Sequence, residues 1–181
     1  MIRGSSFYLR HPKKSEFSQL IELMNDPDGR GDYLSTELFL PGVLEKKFEA
    51  QHSSKEEMEF FLIIGANEEI LGRVFHFKTV PYFQSREIGY SIFSPNARGK
   101  GIMGEAVALL RDYLFETTLL NRLEVHMQPA NVASEKVAIK CGFQYEGTAK
   151  GAVFSRGRFQ DIKMYGLIRQ EWEQLKLQTK K

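Results

Sequence analysis

The chain has 181 residues, 42% of them apolar and 27% charged, and a formal net charge of +2 at pH 7. These values predict a single globular domain over residues 1–181, and the small net charge gives no reason to expect direct binding to nucleic acid. The single cysteine, Cys141, excludes an internal disulfide and suits a reducing cytoplasm.

Two further features predict a cytoplasmic protein that does not contact a membrane. The first ten residues, "MIRGSSFYLR", lack the apolar segment of a signal peptide. The longest strongly apolar run is "FFLIIGA", residues 60 to 66, which is far shorter than the roughly 20 residues that cross a bilayer.

The N-terminal segment predicts a short strand followed by an amphipathic helix. "FYLR", residues 7 to 10, has the pattern of a strand, and "KSEFSQLIELMND", residues 14 to 26, that of a helix with Ser15 as its N-cap. The apolar face of this helix consists of Phe17, Leu20, Ile21 and Met24.

The next two segments predict a loop and a second helical region. "PDGRGD", residues 27 to 32, is rich in turn formers. Residues 36 to 57 have a helical pattern that is interrupted at Pro41-Gly42.

Three strands are predicted after residue 57. They cover residues 58 to 66, 70 to 80 and 86 to 93, and a short turn joins the first two. Such turns join antiparallel strands, so this part of the sheet is predicted to be a meander.

The C-terminal half predicts a helix over residues 101 to 116, a strand "RLEVHMQ" and a helix "NVASEKVAIKCG". Asn131 is the expected N-cap of the last helix and Gly142 the glycine after its end. The apolar stripe of the helix over residues 101 to 116 is Ile102, Ala106, Leu109, Leu110, Tyr113 and Leu114.

A closing hairpin is predicted from "FQYEGTAKGAVF" and "RFQDIKMYGLI", with its turn near Ser155-Arg156-Gly157 and a polar helix after it. The order β-α-α-β-β-β-α-β-α-β-β places antiparallel hairpins on both sides of a β-α-β-α unit. We therefore predict an α/β protein with a mixed sheet that has helices on its faces, not a regular doubly wound domain.

The segment "SPNARGKGIMGEA", residues 94 to 106, is predicted to bind a phosphate, because glycines directly before a helix expose N–H groups to an anion. A Walker A loop is excluded, since residue 94 is Ser and residue 101 is Gly. Gly99, Gly101 and Gly104 also match the dinucleotide pattern G-x-G-x-x-G. The strand before them belongs to a meander, so this alternative lacks its usual context.

Three segments together resemble the GNAT N-acetyltransferase superfamily. "NARGKGIMGEA" resembles its [QR]-x-x-G-x-[GA] pyrophosphate loop, although Met103 departs from the final position. "NVASEKVAIKCGFQYEG" and "GRFQDIKMYGLIRQEW" are similar to the branch of ribosomal-protein alanine N-acetyltransferases, and the resemblance covers roughly residues 86 to 172. It implies the GNAT fold, with a mixed, mostly antiparallel sheet of about seven strands flanked by helices, and acetyl-CoA as co-substrate, with no metal.

The resemblance also implies roles for individual residues. Glu146 is expected to be the general base. Ser134 is expected to donate a proton to the leaving thiolate, because Ala138 stands where many members have a tyrosine. The expected cofactor-binding residues are Ile92, Phe93, Arg98, Gly99, Lys100, Gly101, Ile102, Met103, Asn131 and Ser134.

Other reactive side chains are weaker candidates. Cys141 has no histidine close in sequence and fits a buried structural cysteine better than an acyl-enzyme nucleophile. The four histidines show no metal-ligand spacing. His126 and Glu124 alternate along one strand and share a face, which is compatible with a site or with ordinary strand positions.

The acceptor site is expected between "NDPDGRGDYLSTELF" and "AKGAVFSRGRFQD", with Tyr33, Phe39, Tyr82 and Phe83 as possible walls. The first hypothesis is acetyl transfer, without an acyl-enzyme, to a protein N-terminal amine of the ribosomal-protein type, by a monomer or homodimer. The alternatives are a small-molecule amine such as a polyamine or antibiotic, a non-catalytic acyl-CoA-binding domain, and a dinucleotide-binding protein.

Overall fold

The computed structural model describes residues 1–43, 45–46, 58–80 and 82–179. Much of the helical region predicted over residues 36 to 57 lies outside them, and residues 36–40 have no regular secondary structure. The α-helices that lie entirely within the described residues are α1 (Phe17–Asn25), α2 (Pro27–Arg30), α3 (Ile102–Thr117), α4 (Val132–Lys140) and α5 (Arg169–Thr179). Within these ranges no helix is long and apolar enough to cross a membrane.

One sheet of eight strands organises the described residues. Its order is β1-β2-β3-β4-β5-β6-β8-β7, and every neighbouring pair is antiparallel except β5 and β6. The predicted mixed, mostly antiparallel sheet is confirmed, with one two-residue strand more than expected. The strands are β1 (Ile2–Arg3), β2 (Phe7–Arg10), β3 (Met58–Gly65), β4 (Ile70–Phe77), β5 (Ser85–Ile92), β6 (Arg122–Met127), β7 (Gln144–Ser155) and β8 (Arg158–Ile168).

Two local predictions near α1 are wrong. Ser15 lies inside a 3-10 turn, and the carboxylate of Glu16 fixes the start of α1 by accepting from the N–H of Lys13 at 2.7 Å. The predicted loop contains the short helix α2, whose N-cap Asp26 accepts from the N–H of Gly29 at 3.1 Å. Asp26 followed by Pro27 is a helix-start signal that the sequence does contain.

The sheet separates two apolar cores. One core contains the buried faces of α3, α4 and α5, and the other contains α1, whose Phe17, Leu20, Ile21 and Met24 are buried as predicted. Strand β3 serves both, because successive side chains point to opposite faces of a sheet. Phe61 and Ile63 therefore pack in the first core, and Phe60, Leu62 and Ile64 in the second.

The parallel pair β5–β6 is the irregular part of the sheet. Only Ser85–Glu87 of β5 pair with Arg122–Glu124 of β6, and beyond these residues the two strands no longer pair with each other. The C-terminal half of β5 therefore has one edge that is not covered by a neighbouring strand. This divergence determines where a ligand can enter the sheet.

The end of α4 provides a test of the fold. Gly142 has a φ of +87°, and an added Cβ would overlap the Cδ1 atom of Leu175 on α5. We expect Gly142→Ala to lower the free energy of unfolding by about 2–3 kcal/mol, from backbone strain together with the overlap. Chemical denaturation measures the change.

Gly151→Ala is the matched control, because Gly151 also has a positive φ, +57°, but none of the described atoms lies within 4 Å of an added Cβ. It should cost about 1 kcal/mol, from the backbone alone. Equal losses in the two variants would show that the contact between α4 and α5 is not as tight as described.

Candidate active site

A cleft of about 850 Å³ lies where β5 and β6 diverge. Its walls come from both faces of the sheet. On one face they are the start of α3 and the first turns of α4; on the other they are the loop after α2 and the closing hairpin. The cleft therefore connects two compartments through the gap in the sheet, so a ligand on the helical face can meet a second ligand on the opposite face.

The loop before α3 has the properties of an anion site. Gly99 and Gly101 have φ angles of +73° and +79°, and in the described part of the chain no atom lies within 4 Å of a Cβ added to either. Gly101 is the N-cap of α3 and provides no side-chain cap, and the first helical hydrogen bond runs from the N–H of Glu105 to its carbonyl at 3.2 Å. The N–H groups of Ile102 and Met103, which line the cleft, therefore have no acceptor within the helix.

The two cations predicted for this loop are placed differently. Arg98 lines the cleft, but its Nη2 donates to the carbonyls of Asp28 and Gly29 at 2.7 and 2.9 Å and so ties the loop to α2. Lys100 is exposed and is not part of the cleft wall. Lys136 of α4 lines the cleft instead. No sequence motif marks Lys136, and the one available signal is its position on the first turns of a helix that begins at the site.

The two backbone amides predicted to bind a thioester carbonyl also differ. The N–H of Phe93 donates to the carbonyl of Leu71 at 2.9 Å, and its side chain is buried in the core beside α1. Because N–H groups alternate in direction along a strand, the N–H of Ile92 points to the opposite edge of β5, where β6 has diverged. Of the two, only Ile92 lines the cleft.

The hydroxyl of Ser134 on α4 is hydrogen-bonded to a hydroxyl on β5, so the pair links two parts of the cleft wall. Ser134 Oγ lies 2.8 Å from the hydroxyl of Tyr90 on β5, and both residues line the cleft. Burial raises the pKa of Tyr90 above its ordinary value, so the phenol stays protonated. Asn131 caps α4 as predicted, because its Oδ1 accepts from the N–H of Ser134 at 3.1 Å. Tyr90 is a site residue that the sequence analysis missed.

Charged side chains form a row on the opposite face of the sheet. Glu87 and Glu124 are register partners on β5 and β6, and the ring of His126 lies between their carboxylates, with Nδ1 at 3.0 Å from Glu87 and Nε2 at 3.2 Å from Glu124. Glu124 continues the row by accepting from Arg122 at 2.7 Å. Only Glu87 and His126 of this row reach the cleft.

The row sets the protonation of its own members. Burial alone would lower the pKa of His126, but hydrogen bonds to Glu124 and Glu87 outweigh it and raise the pKa to about 9. Hydrogen bonds from His126 and then Arg122, opposed by burial, lower the pKa of Glu124 to about 2. At neutral pH, His126 is therefore an imidazolium that holds the carboxylate of Glu87 at the cleft.

The structure does not bring Glu146 to the cleft. Its carboxylate forms a bidentate ion pair with Arg122, with Nη1 to Oε1 at 2.7 Å, at the start of β6 and away from the diverged end. The ion pair lies over Gly166, where any Cβ would overlap both partners. The position of Glu146 thus gives no support to the predicted role as general base.

Cys141 is buried and donates from its Sγ to the carbonyl of Gly104 at 3.2 Å. Burial raises the pKa of its thiol to about 11, so it is protonated at neutral pH. It does not line the cleft. These observations agree with the expectation of a structural cysteine.

The loop after α2 closes the side of the cleft that lies opposite α3 and α4. Tyr33 donates to the carbonyl of Ala130 at 2.8 Å across the mouth, and Arg156 of the hairpin turn donates to the carbonyl of Gly31 at 2.7 Å. Two of the other predicted wall residues, Tyr82 and Phe83, are exposed, contact each other edge to face and do not line the cleft.

The charged row predicts a pH-dependent stability. A folded pKa of about 9 against the ordinary 6.5 means that His126 stabilises the fold fully below about pH 6.5, and that this contribution is lost as the pH rises through 9. His126→Gln should therefore lose less thermal stability between pH 6 and pH 10 than the wild type. Melting temperatures across this range test it, and parallel curves for the two proteins would contradict it.

Comparison with known proteins identifies the family. The family model for the acetyltransferase (GNAT) domain matches residues 6–144. The chain is 27% identical to "Probable N-acetyltransferase YjcK" of Bacillus subtilis (strain 168), over 96% of this chain and 100% of that protein.

Two solved structures share the fold. A ribosomal-protein-S5-alanine acetyltransferase from Vibrio fischeri has a TM-score of 0.83 and 24% identity, covering 94% of this chain and 97% of that one. A spermidine N-acetyltransferase from Vibrio cholerae, in complex with CoA and spermine, has a TM-score of 0.80 and 21% identity, covering 94% and 99%. The chain belongs to the GNAT family of N-acetyltransferases.

Proposed function

We propose that the protein transfers the acetyl group of acetyl-CoA directly to a primary amine, and that the acceptor is the α-amine of a protein N-terminus. The observation that carries the proposal is the uncapped start of α3, which opens into the cleft beside two glycines with room for a pyrophosphate. The Vibrio fischeri neighbour, a ribosomal-protein-S5-alanine acetyltransferase, supports an N-terminal acceptor.

Residues on the helical face fit acetyl-CoA, which supplies the activated acetyl group. The N–H groups of Ile102 and Met103 would hold its pyrophosphate at the N-terminus of α3. Asn131 lies further along the same wall, where it would contact the pantetheine arm. The N–H of Ile92 would donate to the thioester carbonyl and stabilise the negative charge that develops there.

Glu87 is the proposed general base in place of Glu146. It is a carboxylate at the cleft, on the acceptor face, and His126 fixes its orientation. A free α-amine has a pKa of about 7.7–8.0, so a carboxylate that accepts the proton directly or through water suffices at neutral pH. Burial of Cys141 removes the one thiol as a nucleophile and supports direct transfer.

Ser134 is the proposed proton donor to the leaving thiolate. A thiol has a pKa of about 8.5, so the thiolate gains from a nearby proton. The hydroxyl of Tyr90 lies 2.8 Å from Ser134 Oγ and would hold the serine hydroxyl in position for this donation. The pair replaces the tyrosine that is absent at Ala138.

A polyamine is the second candidate acceptor, because the Vibrio cholerae neighbour is a spermidine N-acetyltransferase. The charge of the cleft is less suited to a polycation. The charged residues that line it are Arg30, Arg73, Arg98 and Lys136 against Asp32 and Glu87, besides the imidazolium of His126. Turnover of any amine would exclude the alternative of a non-catalytic acyl-CoA-binding domain.

The two candidate bases can be separated by mutation. Glu87→Gln should lower kcat/KM at pH 7 by about 100-fold, and by less at pH 9, where most of the amine is already neutral. Glu146→Gln should leave kcat/KM unchanged and lower only the thermal stability. A pH–rate profile of each variant with a peptide acceptor is the measurement, and the reverse pattern would restore Glu146 as the base.

Calorimetric titration tests the cofactor. Acetyl-CoA should bind and NADH should not, and Gly101→Val should weaken acetyl-CoA binding by about tenfold or more, because the side chain would enter the phosphate space. Gly42→Val is a matched control, since Gly42 has a φ of +78° and no atom of the described residues within 4 Å of an added Cβ, but lies outside the cleft wall. Preference for NADH would favour the dinucleotide alternative.

A further inference from the structure

The acceptor side of the cleft opens into a smaller pocket of about 130 Å³. Arg30, Arg73, Ser35 and Ser91 line both the pocket and the cleft, and Phe39 forms the far wall of the pocket. We call it the arginine pocket. The catalytic residues proposed above do not include any of these side chains.

Arg73 on β4 is held in place mainly by neutral groups. Its guanidinium lies 5.0, 5.6 and 5.7 Å from the ring centres of Phe75, Phe60 and Phe39. Its Nε donates to Ser91 Oγ at 3.1 Å, and its Nη1 lies 3.4 Å from the sulfur of Met24. Burial and then the charge of Arg30 lower its pKa to about 10, so it is still a cation at neutral pH.

Arg30 is the second cation of the pocket. It donates to the carbonyls of Met24 and Glu37, both at 2.6 Å, and to Asn25 Oδ1 at 2.9 Å, and its guanidinium lies 5.9 Å from the ring centre of Phe39. Among the described residues, neither Arg30 nor Arg73 forms an ion pair with a carboxylate. Two like charges therefore face one small pocket, and none of the carboxylates in the described part of the chain pairs with them.

We propose that the arginine pocket binds a carboxylate of the acceptor, so that the preferred acceptors are amines that carry a carboxylate close to the amino group. The proposal rests on the acetyl-transfer function and narrows its substrate class. A guanidinium suits this role because its planar donors match the two oxygens of a carboxylate.

The position of the pocket sets the distance between the two groups of the acceptor. Arg73 is hydrogen-bonded to Ser91, and Ser91 precedes Ile92, whose N–H is the proposed contact of the thioester carbonyl. The amine that attacks this carbonyl must lie beside it. A carboxylate of the same acceptor that is bound by Arg73 is therefore separated from the amine by only a few covalent bonds. Both the α-carboxylate of a free amino acid and the side chain of an acidic N-terminal residue meet this requirement.

Matched acceptor pairs test the proposal. One arm compares free amino acids with their amides, and the other compares peptides that begin with Asp or with Asn. The wild type should prefer the carboxylate member of at least one pair by about tenfold or more in kcat/KM, mainly through KM. The arm that shows the preference identifies the source of the carboxylate.

Arg73→Met keeps an apolar side chain against the three rings and should abolish the preference, while Arg73→Lys should keep part of it. An acid and its amide differ in amine pKa, which affects kcat/KM in every variant alike. Comparing the preference of the variant with that of the wild type removes this effect. Arg30→Gln should also weaken the preference, and it is the test variant to use if Arg73→Met does not fold. The matched control is Arg169→Met, because Arg169 also stacks on two rings, Phe115 and Trp172, but lies away from the cleft.

A binding measurement separates this proposal from the proposed function. The N-acetylated amino acid and its amide, or the corresponding acetylated peptides, are titrated into the protein with CoA present. Tighter binding of the carboxylate form, lost in Arg73→Met, would support the pocket even if no amine were acetylated. Equal or better use of the amides or of spermidine, unchanged in Arg73→Met, would overturn the carboxylate pocket while leaving acetyl transfer intact.

Discussion

The divergence of β5 from β6 is the constraint on which the site depends. The two strands pair over three residues each and then separate, although neighbouring strands in a sheet normally satisfy each other's N–H and carbonyl groups. The exposed edge of β5 therefore has backbone donors and acceptors that need partners. A ligand that enters the gap can supply them, which gives the irregularity a function that a fully paired sheet could not have.

Alternation along β5 then distributes the chemistry between the two faces. Glu87 and Ser91 point to the face with the acceptor loop, whereas Tyr90 and Ile92 belong to the face with α3 and α4. One strand thus presents a carboxylate on the face of the proposed acceptor and a phenol on the face of the proposed cofactor. The sheet keeps these two groups apart except at the gap. A shift of one residue in the β4–β5 register would exchange the faces to which they point.

The sequence was sufficient for most elements and for the glycine loop, since both depend on local patterns. Local information also explains where the structure differs from the predictions. The motif predicts Glu146 as the base, whereas the strand order β6-β8-β7 and the ion pair with Arg122 place its carboxylate at the start of β6, opposite the diverged end. His126 and Glu124 were correctly expected to share a face, whereas their link to Glu87 required the parallel register of β5 and β6. The contact between Tyr90 and Ser134 joins residues 44 positions apart, and no spacing rule predicts it.

The contacts of the Arg73 guanidinium with three aromatic rings can indicate a binding role as well as a structural one. Stacking of a guanidinium on aromatic rings is favourable, yet it does not replace the hydration that a cation loses on burial, and the nearby Arg30 adds repulsion. A methionine or leucine would fill the same space between Phe39, Phe60 and Phe75 without either cost. Because no carboxylate of the described residues pairs with Arg73, an anion that shares the pocket would give this charge a physical reason. The pocket opens beside the edge of β5, so the proposed anion is part of the molecule that would receive the acetyl group.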